Sequence, residues 1–300
     1  MIPLLPLAAG AGAAALGYRT FWWEPRRVGL SFHTLELPFW PAAVDGLRVG
    51  VMADLHAGAP HVPIAQVTRL VSWLNREEPD LIVLLGDYVC SPSVWREPVD
   101  PKDWSKALAQ LRAPLGVHAI LGNHEFWDDR AFQRAGAGIP SGRRALEDVG
   151  IPVYENDVVR LNKAGQPFWL AGLGDQLAYL PMRRARRPGG RIGLDDLSGT
   201  LDKVTDDAPV ILLAHEPDIA VNVPERVSLI LSGHTHGGQV RLFGWSPLVP
   251  SEFGNRFAYG HVREQCDIII SGGLGCSIAP VRIGVPPEIV LVTLGGSNVA

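Results

Sequence analysis

Cysteine is nearly absent from this sequence: Cys90, Cys266 and Cys276 are scattered over 300 positions. An odd, dispersed set excludes a disulfide framework and a thiolate zinc site. Charge is also thin. Charged residues make up 19%, with 27 Lys and Arg against 31 Asp and Glu and a formal net charge of -4. Duplex nucleic acid binds through basic surfaces, so no nucleic-acid partner is expected. Internal repeats are absent as well. Glycine (33) and proline (25) are plentiful, above a usual joint share of about 12%, but they follow no G-X-Y period, which excludes collagen. With 47% apolar residues, the chain reads as turn-rich and globular, with ample length for a buried core.

One stretch lacks charge altogether. Residues 2–18, IPLLPLAAGAGAAALGY, precede Arg19, the pair Trp22 and Trp23, and Arg26 and Arg27. A bilayer span needs roughly 17 to 20 apolar residues, and tryptophans beside arginines resemble an interfacial belt. No positive n-region of a secretory signal precedes Ile2. Residues 1–23 are therefore read as a hydrophobic segment that anchors the chain to the inner membrane. A soluble helix or a cleaved leader are the alternatives. Arginines on the C-terminal flank favour the cytoplasmic face. Trp40 is grouped with Trp22 and Trp23 as a residue for that interface, whereas Trp73 and Trp169 are assigned to the core. Gly10-Ala11-Gly12-Ala13-Ala14-Ala15 matches a dinucleotide pattern, but Pro3 and Pro6 break the strand that must precede it.

Residues 24–46 read as a lead-in and 47–300 as one domain. From Leu47 onward, apolar runs alternate with helical periodicity. Leu47–Ala53, Leu81–Leu85 and Val117–Leu121 read as strands, and residues 63–76 and 102–112 as helices. That alternation marks an α/β protein. Val158–Leu161 and Phe168–Leu173 read as a strand pair, and Asp195–Val204 as a helix. Val210–Ala214, Val227–Leu231, Asp267–Ser271 and Glu288–Leu294 read as further strands.

Five of the apolar runs end in side chains that bind metals: Asp54-x-His56, Asp87, Asn123-His124, His215, and His234-x-His236. Five of the nine histidines fall in these endings. In α/β sheets, sites form outside the carboxyl ends of strands, so several strands would deliver these groups to one edge. Any one of these pieces alone is an ordinary polar strand end; their joint order is what points to a site. Two cations about 3.5–4 Å apart need a shared anionic ligand, and neutral imidazoles fill positions without adding negative charge. A mixed oxygen and nitrogen set suits Mn, Fe, Zn or Co, with Mn favoured here.

These blocks, with Gly86-Asp87, Gly122-Asn123-His124-Glu125 and Gly233-His234-Thr235-His236, resemble the calcineurin-like metallophosphoesterase superfamily over roughly residues 47–294. Gly-His-Thr-His-Gly-Gly-Gln, the apolar N-terminus and Gly272-Gly273-Leu274-Gly275 are more similar to the bacterial membrane-associated branch that includes YkuE and YaeI. The resemblance implies a two-sheet sandwich flanked by helices. It implies one metal on Asp54, His56, Asp87 and His236 and a second on Asp87, Asn123, His215 and His234. His124 would contact the phosphoryl group and protonate the leaving oxygen, with a metal-bridging hydroxide as nucleophile.

The expected activity is a metal-dependent phosphodiesterase or pyrophosphatase on a lipid-linked or nucleotide-like phosphoester. UDP-2,3-diacylglucosamine is the concrete candidate. A protein phosphatase or nuclease of the same superfamily is the alternative, and a non-catalytic binding protein on this scaffold a third. Arg183, Arg184, Arg186 and Arg187 are candidate anion-binding residues; a solvated loop is the simpler reading of them. Cys276 has no visible base partner and reads as inert. The oligomeric state is not legible.

Overall fold

The structure, a computed structural model, describes residues 4–37, 40–180 and 192–295. Its strands in chain order are β1 (Gly29–Leu35), β2 (Leu47–Met52), β3 (Gly58–Ala59), β4 (Leu81–Leu84), β5 (Glu97–Pro98), β6 (Val117–Ala119), β7 (Asp157–Lys163), β8 (Gln166–Gly172), β9 (Val210–Leu213), β10 (Val227–Ser232), β11 (Gly260–Arg263), β12 (Asp267–Ile270) and β13 (Glu288–Leu294). The α-helices are α1 (Leu4–Tyr18), α2 (Ile64–Arg76), α3 (Pro101–Leu108), α4 (Asn123–Trp127), α5 (Arg130–Ala135), α6 (Ser141–Glu147) and α7 (Leu197–Leu201).

One sheet has the order β1-β13-β2-β4-β6 and the other β11-β12-β10-β9-β8-β7; β3 and β5 make a small separate pair. In the first sheet β2, β4 and β6 run parallel, with α2 and α3 as their crossovers. In the second, β8, β9, β10 and β12 run parallel. The parallel strands are short and uninterruptedly apolar because both of their faces are covered. Alternation assigns each face. Val49, Val51, Leu81 and Val83 of the first sheet meet Leu170, Ile211, Leu213 and Leu229 of the second in the core between the sheets. The intervening Ile82 and Leu84 turn outward to Leu70, Leu74 and Trp104 on α2 and α3. On the far face of the second sheet, Leu212, Ile230 and Ile268 pack with Ile219 and Phe257. This is the α/β architecture of two sheets flanked by helices.

The lead-in is part of this structure. Glycine 29 to leucine 35 form β1, which pairs in parallel along the whole of β13. Its half-exposed, mixed sequence gave no strand signal because an edge strand is buried on few sides. Trp40 is also misplaced by the sequence reading. It is buried in the core between the sheets and packs on Phe168 at 6.1 Å. The helix expected over 195–204 contracts to α7.

Helix α1 continues without a break into a π-helical turn over Arg19–Trp23. Among the described residues no helix is long and apolar enough to cross a membrane. The three cysteines are free and buried, and burial raises the thiol pKa of Cys276, in keeping with an inert residue.

Leu213 is fully buried between the sheets. Leu213→Ala should lower unfolding free energy by about 2–5 kcal/mol, read as a fall in the urea midpoint at an unchanged slope.

Candidate metal centre

The carboxyl ends of β2, β4, β6, β9 and β10 converge at one edge, where the two sheets meet. Backbone bonds stitch the ends together: Asp54 N donates to the Gly86 carbonyl at 3.1 Å, His56 N to that of Asp87 at 2.9 Å, and Gly233 N to that of His215 at 3.0 Å. The chain must turn abruptly there. Asp54, His56, Asp87, His234 and His236 all adopt positive φ, between 41° and 68°. Non-glycine residues in that region cost of order 1–3 kcal/mol each and gather at functional sites. Gly86, at φ 94°, lets two strand ends touch: a Cβ there would lie 2.3 Å from Gly122 N. A Cβ on Gly122 would lie 2.5 Å from Asp87 Oδ1 and 2.6 Å from His215 Nε2.

The sequence-predicted side chains meet in two groups. Asp54, His56, Asp87 and His236 form one, and Asp87, His215 and His234 the other; within each group the ligand atoms lie within 4.8 Å of one another. Asp87 belongs to both. Its Oδ2 is 3.6 Å from His56 Nε2 and 3.3 Å from His215 Nε2, and its Oδ1 accepts the His124 amide at 2.9 Å. His236 Nε2 lies 3.2 Å from His56 Nε2 and 3.6 Å from Asp54 Oδ1. Asn123 Oδ1 lies 3.0 Å from His234 Nδ1, which adds the carboxamide to the second group.

The donor set fits cations. Asp54 Oδ2 and His215 Nε2 are fully buried with no hydrogen-bond partner, which is costly for polar atoms unless something else satisfies them. His215 Nδ1 donates to the Leu85 carbonyl at 2.6 Å and His56 Nδ1 to that of Val89 at 3.0 Å. These bonds turn each Nε2 toward the cluster, the usual outer support of a metal-bound imidazole. Burial pushes Asp54 up to about 7 and His56 down to about 3, each toward its neutral form. His236 is likewise driven well below the ordinary histidine value by burial. Asp87 resists burial and stays well below the carboxylate range because His215 and His124 stand beside it. Divalent cations would relieve the same crowding without protons.

His124 stands apart from both groups. Its Nδ1 is 3.0 Å from Asp128 Oδ2 and 2.9 Å from Ser91 Oγ, and its Nε2 points toward Ser277 Oγ at 3.5 Å. Burial lowers its pKa, but the Asp87 charge and the Asp128 hydrogen bond outweigh that and raise it. Arg183, Arg184, Arg186 and Arg187 lie outside the described residues.

Several supporting residues escaped the sequence reading. Glu125 is fully buried, and its carboxylate accepts the amides of Asp87, Tyr88, Val89 and Gly122 at 2.8–3.0 Å. It fixes the turn that carries Asp87, and its place in Gly-Asn-His-Glu was the available signal. Arg282 is wholly buried. It donates to the Gly272 and Val285 carbonyls at 2.8 and 3.1 Å and to those of Gly273 and Gly275, and it faces His236 Nδ1 at 3.3 Å. Asp175 and Glu216 are buried beside His215. No local pattern marked Arg282 or Asp175.

Buried carboxylates, a carboxamide and imidazoles delivered by two sheets to one edge define a metal-dependent phosphoester hydrolase. A model of the calcineurin-like phosphoesterase family matches residues 47–238, and the chain belongs to that family. It is 30% identical to the uncharacterized metallophosphoesterase YkuE of Bacillus subtilis over 97% of this chain and 94% of that protein. It is 29% identical to an uncharacterized metallophosphoesterase of Aquifex aeolicus over 89% of this chain and 91% of that one. A zebrafish protein described as a transmembrane protein with metallophosphoesterase domain is 32% identical over 85% of this chain but only 54% of its own length.

Two substitutions separate ligand from support. Asp87→Asn should reduce bound metal at both positions and abolish turnover, measured by elemental analysis of the dialysed protein. Two metals per chain with near-normal turnover would refute the bridging role. Glu125→Ala leaves four amides without their acceptor and should lower stability by several kcal/mol, together with metal affinity, as read by thermal unfolding with and without added Mn.

Proposed function

We propose that this hydrolase is a membrane-associated phosphodiesterase or pyrophosphatase whose substrate carries its phosphate on an amphiphile. The observation that carries this reading is the cavity above the cluster. It has a volume of about 1360 Å³, against about 300–1,000 Å³ for ordinary small-molecule sites. Asp87, His124, His234 and His236 line it, and Leu177, Val221, Val240, Leu248, Val249 and Phe253 supply apolar wall. A free phosphate or a small polar ester would leave that wall uncovered. UDP-2,3-diacylglucosamine, a diphosphate joined to acyl chains, is the concrete candidate. The basic segment with Arg183, Arg184, Arg186 and Arg187 is proposed to receive its anionic part.

Asp54, His56, Asp87 and His236 would hold one divalent cation, and Asp87, Asn123, His215 and His234 a second, with Mn favoured for a mixed oxygen and nitrogen set. When bound, such a pair supplies charge against the phosphoryl oxygens and an activated water. His124 would act on the substrate beside them. Asp128 and Ser91 orient the ring, and the neighbouring negative charge favours its protonated form. Its Nε2 can thus stabilise the phosphoryl group and give a proton to the leaving oxygen.

Membrane association is read from the apolar N-terminal helix, and the arginines at its end support the cytoplasmic face as the domain's side. The zebrafish and bovine relatives whose names call them transmembrane proteins support it.

The test is hydrolysis with added Mn. Bis-p-nitrophenyl phosphate and a lipid diphosphate should be turned over faster than p-nitrophenyl phosphate; a preference for the monoester would overturn the reading. His124→Ala should keep both metals and lose about 10²–10⁴ in rate. The loss should be smaller for a p-nitrophenyl ester, whose leaving group needs little protonation, than for an alkyl ester. Equal losses would remove the acid role.

A further inference from the structure

Residues 242–251, LFGWSPLVPS, contain no charge, yet apart from the buried Ser246 they lie at or near the surface. Leu242, Phe243, Trp245 and Leu248 are 52%, 107%, 59% and 69% exposed. Leu242 and Trp245 exchange both backbone hydrogen bonds, at 2.8 and 3.0 Å. They close a two-residue turn on Phe243 and Gly244, both at positive φ, 51° and 80°. Such turns favour Asn or Asp followed by Gly, because other side chains resist positive φ. A phenylalanine placed there gains no packing in exchange, since its ring stands wholly in solvent. Stability of the free chain does not explain that ring; a surface that covers it does.

The hairpin grows from the segment that carries His236. Arg241 N donates to the Ile283 carbonyl at 2.7 Å and Ile283 N to the Gln239 carbonyl at 2.8 Å. The same 282–284 strip holds the N-terminal segment from its other side. Arg282 N donates to the Thr20 carbonyl at 3.1 Å, and Gly284 N donates to the Glu24 carboxylate. That N-terminal segment is itself uncovered: residues 10–16 are all exposed, as are Phe21, Trp22 and Trp23. A third projection joins them. Arg96 donates to the carbonyls of Cys276 and Ser277, which sets the exposed Val94 and Trp95 near the exposed Ile278. Leu248 and Ile278 also line the cavity that holds His124 and His236.

Single exposed apolar residues need no explanation, but a contiguous set marks a contact surface. Here the set consists of separate convex tips from three chain segments, gathered beside one cavity mouth and continuous with an apolar helix. A soft apolar layer accepts such tips; a folded protein partner would need matching pockets. Tryptophan, phenylalanine and leucine beside arginine are the groups that favour the boundary between headgroups and acyl chains. Arg26 and Arg27 indeed lie 3.3 and 5.0 Å over the rings of Trp22 and Trp23.

We propose that the Leu242–Trp245 hairpin, with Leu248, Ile278 and the Val94–Trp95 tip, inserts into the headgroup boundary of a lipid bilayer and seats the cavity mouth on the membrane surface. The proposal rests on the reading of an amphiphilic substrate and adds the surface by which the chain reaches it.

The full-length chain carrying Phe243→Cys is labelled with an environment-sensitive dye, the native thiols being buried. Lys106→Cys, on the exposed face of α3, is the control. With vesicles of phosphatidylethanolamine and phosphatidylglycerol, the label at 243 should shift to the blue and be quenched by brominated acyl chains, and the label at 106 should not. A label at 243 that stays in water while the chain floats with vesicles overturns the proposal, as does a chain that fails to float. The pair Phe243→Ser and Trp245→Ser should leave hydrolysis of soluble bis-p-nitrophenyl phosphate unchanged. It should slow hydrolysis of a long-chain p-nitrophenyl phosphodiester held in vesicles by about tenfold or more. Equal rates for the variant and the parent chain on the vesicle ester overturn the seating role. A chain that inserts its hairpin but hydrolyses neither ester would defeat the functional reading and leave the surface standing.

Discussion

The carboxylate of Asp87 is the group around which the rest is arranged. It is fully buried, it stays ionised, and one of its oxygens lies between His56 and His215. A buried anion is tolerated only where opposite charge and donors surround it. Much of the neighbouring architecture serves that need. The His124 amide and the imidazoles of two sheets face Asp87, and Glu125 binds the amides of the turn that presents it. The sheets therefore have to converge at this edge, and Gly86 and Gly122 allow their strand ends to come close enough.

The same demand explains where strain is kept. Five side chains of the cluster stand on left-handed backbone, a conformation each would avoid in isolation. The surrounding layers over-determine them. Apolar packing on both faces of each sheet fixes the strands up to their last residue, and Arg282, Glu125 and the strand-end hydrogen bonds fix the turns beyond. Ligand positions are thus held by the fold itself, a form of preorganisation that a loosely held loop could not provide.

Chemically, the site is two-faced. Its floor collects carboxylates and imidazoles, and its walls and rim are leucine, valine, phenylalanine and tryptophan. The two parts differ in chemistry: the floor suits a phosphoryl group, and the wall offers apolar surface. The exposed hairpin at Phe243 and the exposed residues 10–16 of the N-terminal helix place further apolar surface outside the cavity.

Much of this was legible in the sequence. Short runs such as Leu81–Leu85 and Val210–Ala214 announce buried parallel strands because neither face needs polar residues, and the ligands follow each run directly, since strand ends are where backbone and side chains are free to turn inward. Local signals of that kind singled out Asp54, His56, Asp87, Asn123, His215, His234 and His236 as candidates, and the fold brings them together. They did not locate β1, whose edge position leaves a mixed sequence, or the place of Trp40 in the core. Nor did they mark Arg282, Asp175 or the exposed turn at Phe243. The difference is physical: a strand and the residue that ends it are determined by neighbours a few positions away. Whether an arginine is buried among carbonyls, or a phenylalanine stands alone beside a cavity, depends on segments far apart in the chain, and only the packed fold brings those together.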